Sequence, residues 1–246
     1  MKEFNVYDNQ HFFDEYQKMR SEKINSNVLV EIPQIKKLLP DLKDKTILDL
    51  GCGAGGMSRY FIKQGAKRVL AIDISKNMIT EAKKYKIDKI EYRVLSMDKL
   101  NSIDEKFDLV FSSLAFHYVK NFEKLIKNIS NLLKKDGILL FSQEHPLLTS
   151  TIPNDKFPKY YEVNKKRYYI LADYQRETQR VTYWLDFSVV KYHRMLETVV
   201  NSICKFGMEL IELKPSKPSQ KALKLLPKLS KEFERPMYLF VKARKK

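Results

Sequence analysis

One stretch restricts what this chain can fold into more than any other: Ile47-Leu-Asp-Leu-Gly-Cys-Gly-Ala-Gly-Gly56. An apolar run, Thr46–Leu50, breaks into a turn with Gly51, Gly53 and Gly56 at G-x-G-x-x-G spacing. Glycine there permits a tight, left-handed backbone and lets a ligand approach the main chain closely. The helix predicted to follow carries Met57, Tyr60 and Phe61 and stops at Gly65. A second apolar run then ends at Asp73, where a carboxylate is placed to accept hydrogen bonds from a ribose diol. Strand, glycine turn, helix, strand and acid in this order predict a nucleoside-binding α/β unit.

The alternation continues along the chain. Ser75 is suited to cap a helix containing Met78, Ile79 and Ala82. Strands are predicted at 90–95 and 107–111. A helical stripe of Phe122, Leu125, Ile126, Ile129, Leu132 and Leu133 is expected to stop at Gly137, followed by a strand over 137–141. Upstream, Phe12, Phe13, Tyr16, Met19 and Ile24 predict an amphipathic helix over 11–24, and a second spans 27–39 before Pro40. After His145 the rhythm breaks. Residues 147–193 hold Pro153, Pro158 and many tyrosines among Lys and Arg, which predicts a partly β insertion over the strand ends. A helix at 194–206 stopped by Gly207, a strand at 208–213, a helix at 220–230 and a strand at 237–243 complete the pattern. Such alternation predicts a parallel sheet covered on both faces, with ligands at the strand C-termini.

Composition adds limits. With 43% hydrophobic and 12% aromatic residues among 246, a full core is available. Apolar runs such as 138–141 fall far short of the roughly 18 residues of a membrane span. Met1-Lys2-Glu3 opens without an apolar signal core, so a cytoplasmic protein that neither enters nor crosses a membrane is expected. Two cysteines, Cys52 and Cys204, make neither a disulfide framework nor a metal site, and no ligand cluster has metal spacing. The net charge of +16 comes from 36 lysines and 10 arginines dispersed along the chain, a solvated surface more than a nucleic-acid footprint.

Asp49, two residues before Gly51, separates the candidate ligands. A dinucleotide would bring a doubly negative pyrophosphate to this turn, and the carboxylate would repel it. S-adenosylmethionine has no phosphate and carries a sulfonium and an ammonium, which the same carboxylate attracts. At about 4 Å and an effective dielectric near 20, such a pair is worth of order 4 kcal/mol before desolvation.

The same residues carry a family resemblance. Ile47-Leu-Asp-Leu-Gly-Cys-Gly-Ala-Gly55 resembles the first motif of class I S-adenosylmethionine-dependent methyltransferases of the small-molecule, type 11-like kind. Val69-Leu-Ala-Ile-Asp-Ile-Ser75 is similar to their second motif and Phe107-Asp-Leu-Val-Phe-Ser-Ser-Leu-Ala-Phe-His117 to their fourth. Leu132-Leu-Lys-Lys-Asp-Gly-Ile-Leu-Leu140 matches their helix-to-fifth-strand junction. The resemblance covers about residues 45–145. It implies a Rossmann-like α/β fold: a seven-stranded, mostly parallel sheet with an antiparallel last strand, helices on both faces and an inserted cap after the fifth strand. One domain over 1–246 is then divided into a helical lid (1–40), a cofactor-binding core (41–146), a substrate cap (147–193) and a sheet-completing end (194–246).

By that resemblance the cofactor is S-adenosyl-L-methionine, the product S-adenosyl-L-homocysteine, and no metal is required. Gly51, Cys52 and Gly53 would line the methionyl part, Asp73 would hold the ribose, and Ile74 and Met78 would pack on the adenine. Where the family often has an acid, this chain has Ser96, so the adenine amino contact passes to Met97 and Asp98. Ser112, Ser113 and Leu114 would sit beside the sulfonium. Residues 12–20 resemble a lid in which Tyr16 and Arg20 face the methionine carboxylate, although packing explains Tyr16 equally well.

On the acceptor side, His117 is the candidate catalytic base, against the alternative of a packed helix-start residue. Glu144 and His145 are candidate substrate contacts, against a turn set by Pro146. His193 and Arg194 could bind an anionic acceptor or start a helix, and His11 is read as surface. Trp184 and Tyr192 belong to the aromatic insertion, which could cap a small acceptor, stack on nucleic acid or simply pack. The expected partner is a small-molecule acceptor, with the chain a monomer or homodimer. RNA methylation is the second reading, and an NAD-binding oxidoreductase or a nucleotide sensor the third.

Overall fold

The computed structural model describes residues 5–150 and 160–246. Pro153 and Pro158 of the predicted insertion, and residues 1–4, lie outside them. Helix α1 (Gln10–Ser21) is capped by Asn9, whose side chain accepts from the Phe12 amide. A single π-turn over Asn27–Glu31 runs into α2 (Ile32–Leu38). Then come β1 (Thr46–Leu50), α3 (Gly56–Lys63), β2 (Arg68–Asp73), α4 (Lys76–Lys83) and β3 (Ile90–Val94). A short 3-10 turn at Met97–Ser102 leads to β4 (Phe107–Ser113), and another at Phe116–Tyr118 to α5 (Phe122–Leu132) and β5 (Leu133–Glu144). After the single turn α6 (Pro146–Thr149), the insertion forms two hairpins, β6 (Tyr160–Val163) with β7 (Lys166–Tyr169), and β8 (Gln179–Trp184) with β9 (Phe187–Tyr192). Helix α7 (Leu196–Lys205), β10 (Met208–Pro215), α8 (Gln220–Leu225) and β11 (Tyr238–Lys245) close the chain.

The seven-stranded sheet runs β10-β11-β5-β4-β1-β2-β3. Strand β11 is antiparallel to both neighbours, and the contacts from β5 through β3 are parallel. Because β1, β2 and β4 are buried on both faces, they read as near-continuous apolar runs rather than alternating ones. One face packs Leu48, Leu50, Val110 and Phe141 against the stripe of α5 and against Val199 and Ile203 of α7. The other packs Ile47, Phe111 and Phe240 against Ile35 and Leu38 of α2, Phe61 of α3 and Ala222 of α8. The order reverses between β1 and β4, which makes the crevice beyond their C-termini the switch point where such sheets bind ligands.

Several boundaries differ from the sequence expectation. Gly137 does not stop α5: the helix ends at Leu132, and Gly137 lies inside β5 after Asp136 at φ 61°. A Cβ at Gly137 would sit 2.9 Å from the Lys134 carbonyl and 3.1 Å from that of Phe107, so the glycine serves close strand approach. The helix expected over 220–230 breaks at Leu226, because Pro227 disfavours helical backbone in the residue before it; a 3-10 segment (Pro227–Phe233) follows. The first helix ends at Ser21 rather than at Ile24. Among the described residues no helix is long and apolar enough to cross a membrane.

Candidate functional site

The glycine turn leaves β1 with three left-handed residues, Gly51 (φ 70°), Gly53 (φ 53°) and Gly55 (φ 75°). The third constrained glycine is therefore Gly55, not the Gly56 of the G-x-G-x-x-G reading. A Cβ on Gly55 would fall 2.3 Å from the Tyr92 hydroxyl, whereas one on Gly56 would meet open space. The turn's amides face inward. Those of Gly51 and Cys52 both donate to the Ile72 carbonyl (2.9 and 3.0 Å), that of Gly53 to Asp73 Oδ2 (2.9 Å), and that of Gly55 to the Cys52 carbonyl (3.0 Å). A pyrophosphate cradle needs those N–H groups aimed at the ligand. Here they are consumed by the protein.

Asp49 lies beneath this turn, 1% exposed, with Ser58 donating to Oδ2 at 2.5 Å. Burial pushes its carboxyl up to about 7, against the Ser58 hydrogen bond, with the Asp73 charge adding to the rise. A cation above the turn would favour the ionised form. S-adenosylmethionine is thus expected to bind with proton release below pH 7, its affinity rising with pH at a slope approaching about tenfold per unit and levelling above 7. Stability of the free protein has the opposite sign. Between about 4 and 7 the folded chain holds a proton that the unfolded chain has released, so Asp49 makes stability fall as pH rises there. Calorimetry in buffers of different ionisation enthalpy checks this; an Asp49→Asn variant that keeps the step at pH 7 would assign it elsewhere.

Asp73, at the end of β2, accepts from Gly53 N and, through Oδ1, from Ser75 N (2.9 Å). Each carboxylate oxygen keeps a lone pair for a ribose hydroxyl. Burial raises its pKa, opposed by those backbone donors. Ser75 caps α4 as expected, accepting from Met78 N, while its own hydroxyl donates to Asp8 Oδ1 at 2.7 Å, which ties the N-terminus to this strand end. Ile74 is 41% exposed. Met78 is buried, its sulfur 3.9 Å from Gln17 Nε2. Met97 reaches the turn, with its Cε 3.6 Å from where a Gly51 Cβ would be; Asp98 is exposed. The Cys52 thiol is half-buried and raised by burial and by its acidic neighbours Asp49 and Asp73.

At the end of β4 the structure divides the predicted serines. Ser112 is fully buried and donates to the Leu50 carbonyl (2.8 Å), so its hydroxyl stitches β4 to β1 and faces no ligand. Ser113 is half-buried beside the Gly51 turn, and Leu114 adopts φ 53°. The Ser113 hydroxyl donates to Glu31 Oε1 at 2.8 Å, and so does Ser142 at 2.6 Å. The sequence reading missed Glu31; its signal, an acid inside an apolar helical run, is ambiguous without a fold. Tyr16 and Arg20 approach from α1, the guanidinium 5.8 Å from the ring centre. The Tyr16 phenol is raised by burial, lowered by Arg20, and raised again by Asp73 and Glu31.

On the acceptor side, Glu144 and Lys191 form a buried ion pair (2.5 Å). Val189 and Lys191 point inward from β9, which puts Tyr192 on the other face; Lys191 occupies the place expected of Tyr192. His117 is 3% exposed, and its Nδ1 accepts from the Glu144 amide at 3.3 Å. Burial brings its pKa down to about 4, against the Glu144 charge, with Lys191 and Arg194 adding to the fall. A neutral ring accepting at Nδ1 carries its proton on Nε2. His117 therefore presents a donor, not the base expected of it. His145 caps α6, its Nδ1 taking the Leu147 amide (3.2 Å), and burial lowers it to about 4. His193 has no free nitrogen: Nδ1 meets the Thr149 hydroxyl (2.7 Å) and Nε2 the Tyr174 carbonyl (2.8 Å). Arg194 donates to the carbonyls of Phe116 and Val119 and sits over Phe122. These residues build the wall; they do not offer anion contacts. Trp184 and Phe187 pack edge-to-face on Phe12, and Trp184 also on Tyr16, so α1 and the β8–β9 hairpin meet above the strand ends. Among the described residues no group of three His, Cys, Asp or Glu side chains could hold a metal ion.

Known proteins share this architecture. A family profile described as "Methyltransferase domain" matches residues 48–141. The crystal structure of an S-adenosylmethionine-dependent methyltransferase from Mesorhizobium loti is 31% identical, with a TM-score of 0.80 over 90% of this chain and 98% of that one. An uncharacterized protein of Haemophilus influenzae is 36% identical, the match covering 98% of this chain and 96% of the relative. The ubiquinone biosynthesis O-methyltransferase of Pelagibacter ubique is 33% identical over 54% of this chain and 56% of its own length.

Proposed function

The chain belongs to the class I S-adenosylmethionine-dependent methyltransferases, and from that membership we propose that it methylates a small-molecule acceptor in the cytoplasm, as a monomer or homodimer. Bound S-adenosylmethionine supplies a methyl group already activated on a sulfonium, so an aligned acceptor displaces it in line. The inward-facing amides of Gly51, Cys52, Gly53 and Gly55 favour this cofactor most, because they leave a turn that rejects phosphate while Asp49 and Asp73 add negative charge. Asp73 would hold the ribose, Ile74 and Met97 the adenine side, and Ser113, Tyr16 and Arg20 the amino-acid end. The 1–40 segment would serve as lid and the β8–β9 hairpin as cap.

The acceptor side offers alignment and dryness rather than a strong base. His117 is neutral with Nδ1 engaged, and Glu144 is tied to Lys191. An acceptor nucleophilic without a strong base, such as a carboxylate or a readily ionised hydroxyl, suits these walls best. The O-methyltransferase relative points the same way. Titration with S-adenosylmethionine, S-adenosylhomocysteine and NADH, then an acceptor screen with labelled methyl donor, tests the reading. Binding of NADH alone would reject it.

His117→Ala is expected to leave S-adenosylhomocysteine affinity unchanged and to slow turnover by up to roughly tenfold, the scale of one neutral hydrogen bond. The parent enzyme should show no rate inflection near pH 6.5. An inflection there that the variant loses would return His117 to the role of base.

RNA methylation keeps one supporting observation. Tyr161 and Tyr168 are 59% and 52% exposed on the β6–β7 hairpin, beside exposed Lys165 and Lys166, and Tyr183 is 79% exposed on the β8–β9 hairpin. Stacking faces next to cations suit single strands. RNA affinity falling steeply with salt would favour this second reading.

A further inference from the structure

Glu31 is a buried carboxylate without a matching cation. It is 1% exposed, and its three hydrogen-bond donors are neutral: the hydroxyls of Ser113 and Ser142 on Oε1 and the Asn27 amide on Oε2 (3.0 Å). Burying an ionised carboxylate is costly unless a countercharge completes it. The nearest cationic influence is Arg20, which lowers the Glu31 pKa only partly; burial keeps it raised. The strand register shows where a countercharge would fit. Leu50 lies opposite Ser112 and Ser113 opposite Ser142, so Ser113 stands next to Gly51 at the switch point. Since the Ser113 proton is committed to Glu31, the oxygen turns only lone pairs to the crevice. It can accept a hydrogen bond but cannot donate one.

We propose that Glu31 is a positioning residue for the amino-acid end of the cofactor, fixing Ser113 as an acceptor and supplying the negative charge that selects the α-ammonium. This rests on the S-adenosylmethionine reading above. The site then has two anionic sides: Asp49 under the glycine turn and Glu31 behind the end of β4. Arg20 and Tyr16 remain for the carboxylate of the same amino-acid group. A purely structural alternative, in which Glu31 only pins the N-terminal segment to β4 and β5, predicts no preference among ligands.

Two ligands separate these roles. S-adenosylhomocysteine has the amino-acid end and no sulfonium charge, while 5′-methylthioadenosine keeps the adenosine and thioether and lacks the amino-acid end. Calorimetry on the full chain with E31Q and S113A is expected to show about a tenfold or greater loss of S-adenosylhomocysteine affinity, the scale of one charge-assisted contact, with 5′-methylthioadenosine bound as by the parent. E31Q keeps the shape and an oxygen acceptor; should it fail to fold, S113A alone decides, because it leaves the carboxylate in place. Unchanged S-adenosylhomocysteine affinity in the folded variants, or equal losses for both ligands, would overturn the proposal. A parent protein that binds neither ligand would instead overturn the cofactor reading on which it rests.

Discussion

Replacing Gly51 by alanine is expected to destabilise the protein by roughly 2–4 kcal/mol and to remove cofactor binding, through left-handed strain combined with overpacking. Gly51 sits at φ 70°, where an L side chain is strained, and an added Cβ would lie 2.5 Å from Ala115 Cβ. Neither atom is the end of a flexible chain. The Gly51 and Cys52 amides would have to leave the Ile72 carbonyl or push the β4 extension outward. Either motion displaces the turn from Asp73 and from Ser113 together. Denaturant unfolding and calorimetry check this; a variant with parent stability and parent affinity would show that the turn accommodates the methyl group. Gly56→Ala is the control, since its Cβ meets open space.

Asp73→Ala should weaken S-adenosylhomocysteine binding by roughly 1–3 kcal/mol, the scale for losing an ionised hydrogen-bond partner. The loss has two sources. The ribose hydroxyls lose their acceptor, and the amides of Gly53 and Ser75 lose theirs, which loosens the turn and the start of α4. Unlike E31Q, this variant should lose 5′-methylthioadenosine as well, because that ligand still carries the ribose. Unchanged binding of both would show that the ribose is held elsewhere.

Much of the core was legible because doubly buried strands and glycine turns leave strong local marks. Ser75 capping α4 needs only its own hydroxyl and the next turn's amides. Where a remote neighbour decides, the local sequence points elsewhere. Gly55 and Gly56 look interchangeable in the sequence, but Gly55 alone of the two is left-handed, and only there would a Cβ strike Tyr92, arriving on β3. Gly137 follows a helical stripe, yet its demand comes from the carbonyls of Lys134 and, on β4, Phe107. Ser112 and Ser113 are chemically alike; strand alternation turns one toward Leu50 and the other toward Glu31. His193 was a plausible anion ligand until Thr149 and Tyr174 took both its nitrogens. Glu31 carries no motif at all, and its two serine partners lie 82 and 111 residues away.

The rings of Phe12 and Tyr16 interlock with those of Trp184 and Phe187 across the crevice. Edge-to-face pairs contribute about 0.5–1.5 kcal/mol each beyond their burial, so neither flap lifts without breaking several at once. Separating the N-terminal helix from a hairpin some 170 residues downstream would therefore cost several aromatic contacts together, which binds two distant parts of the chain into a single unit.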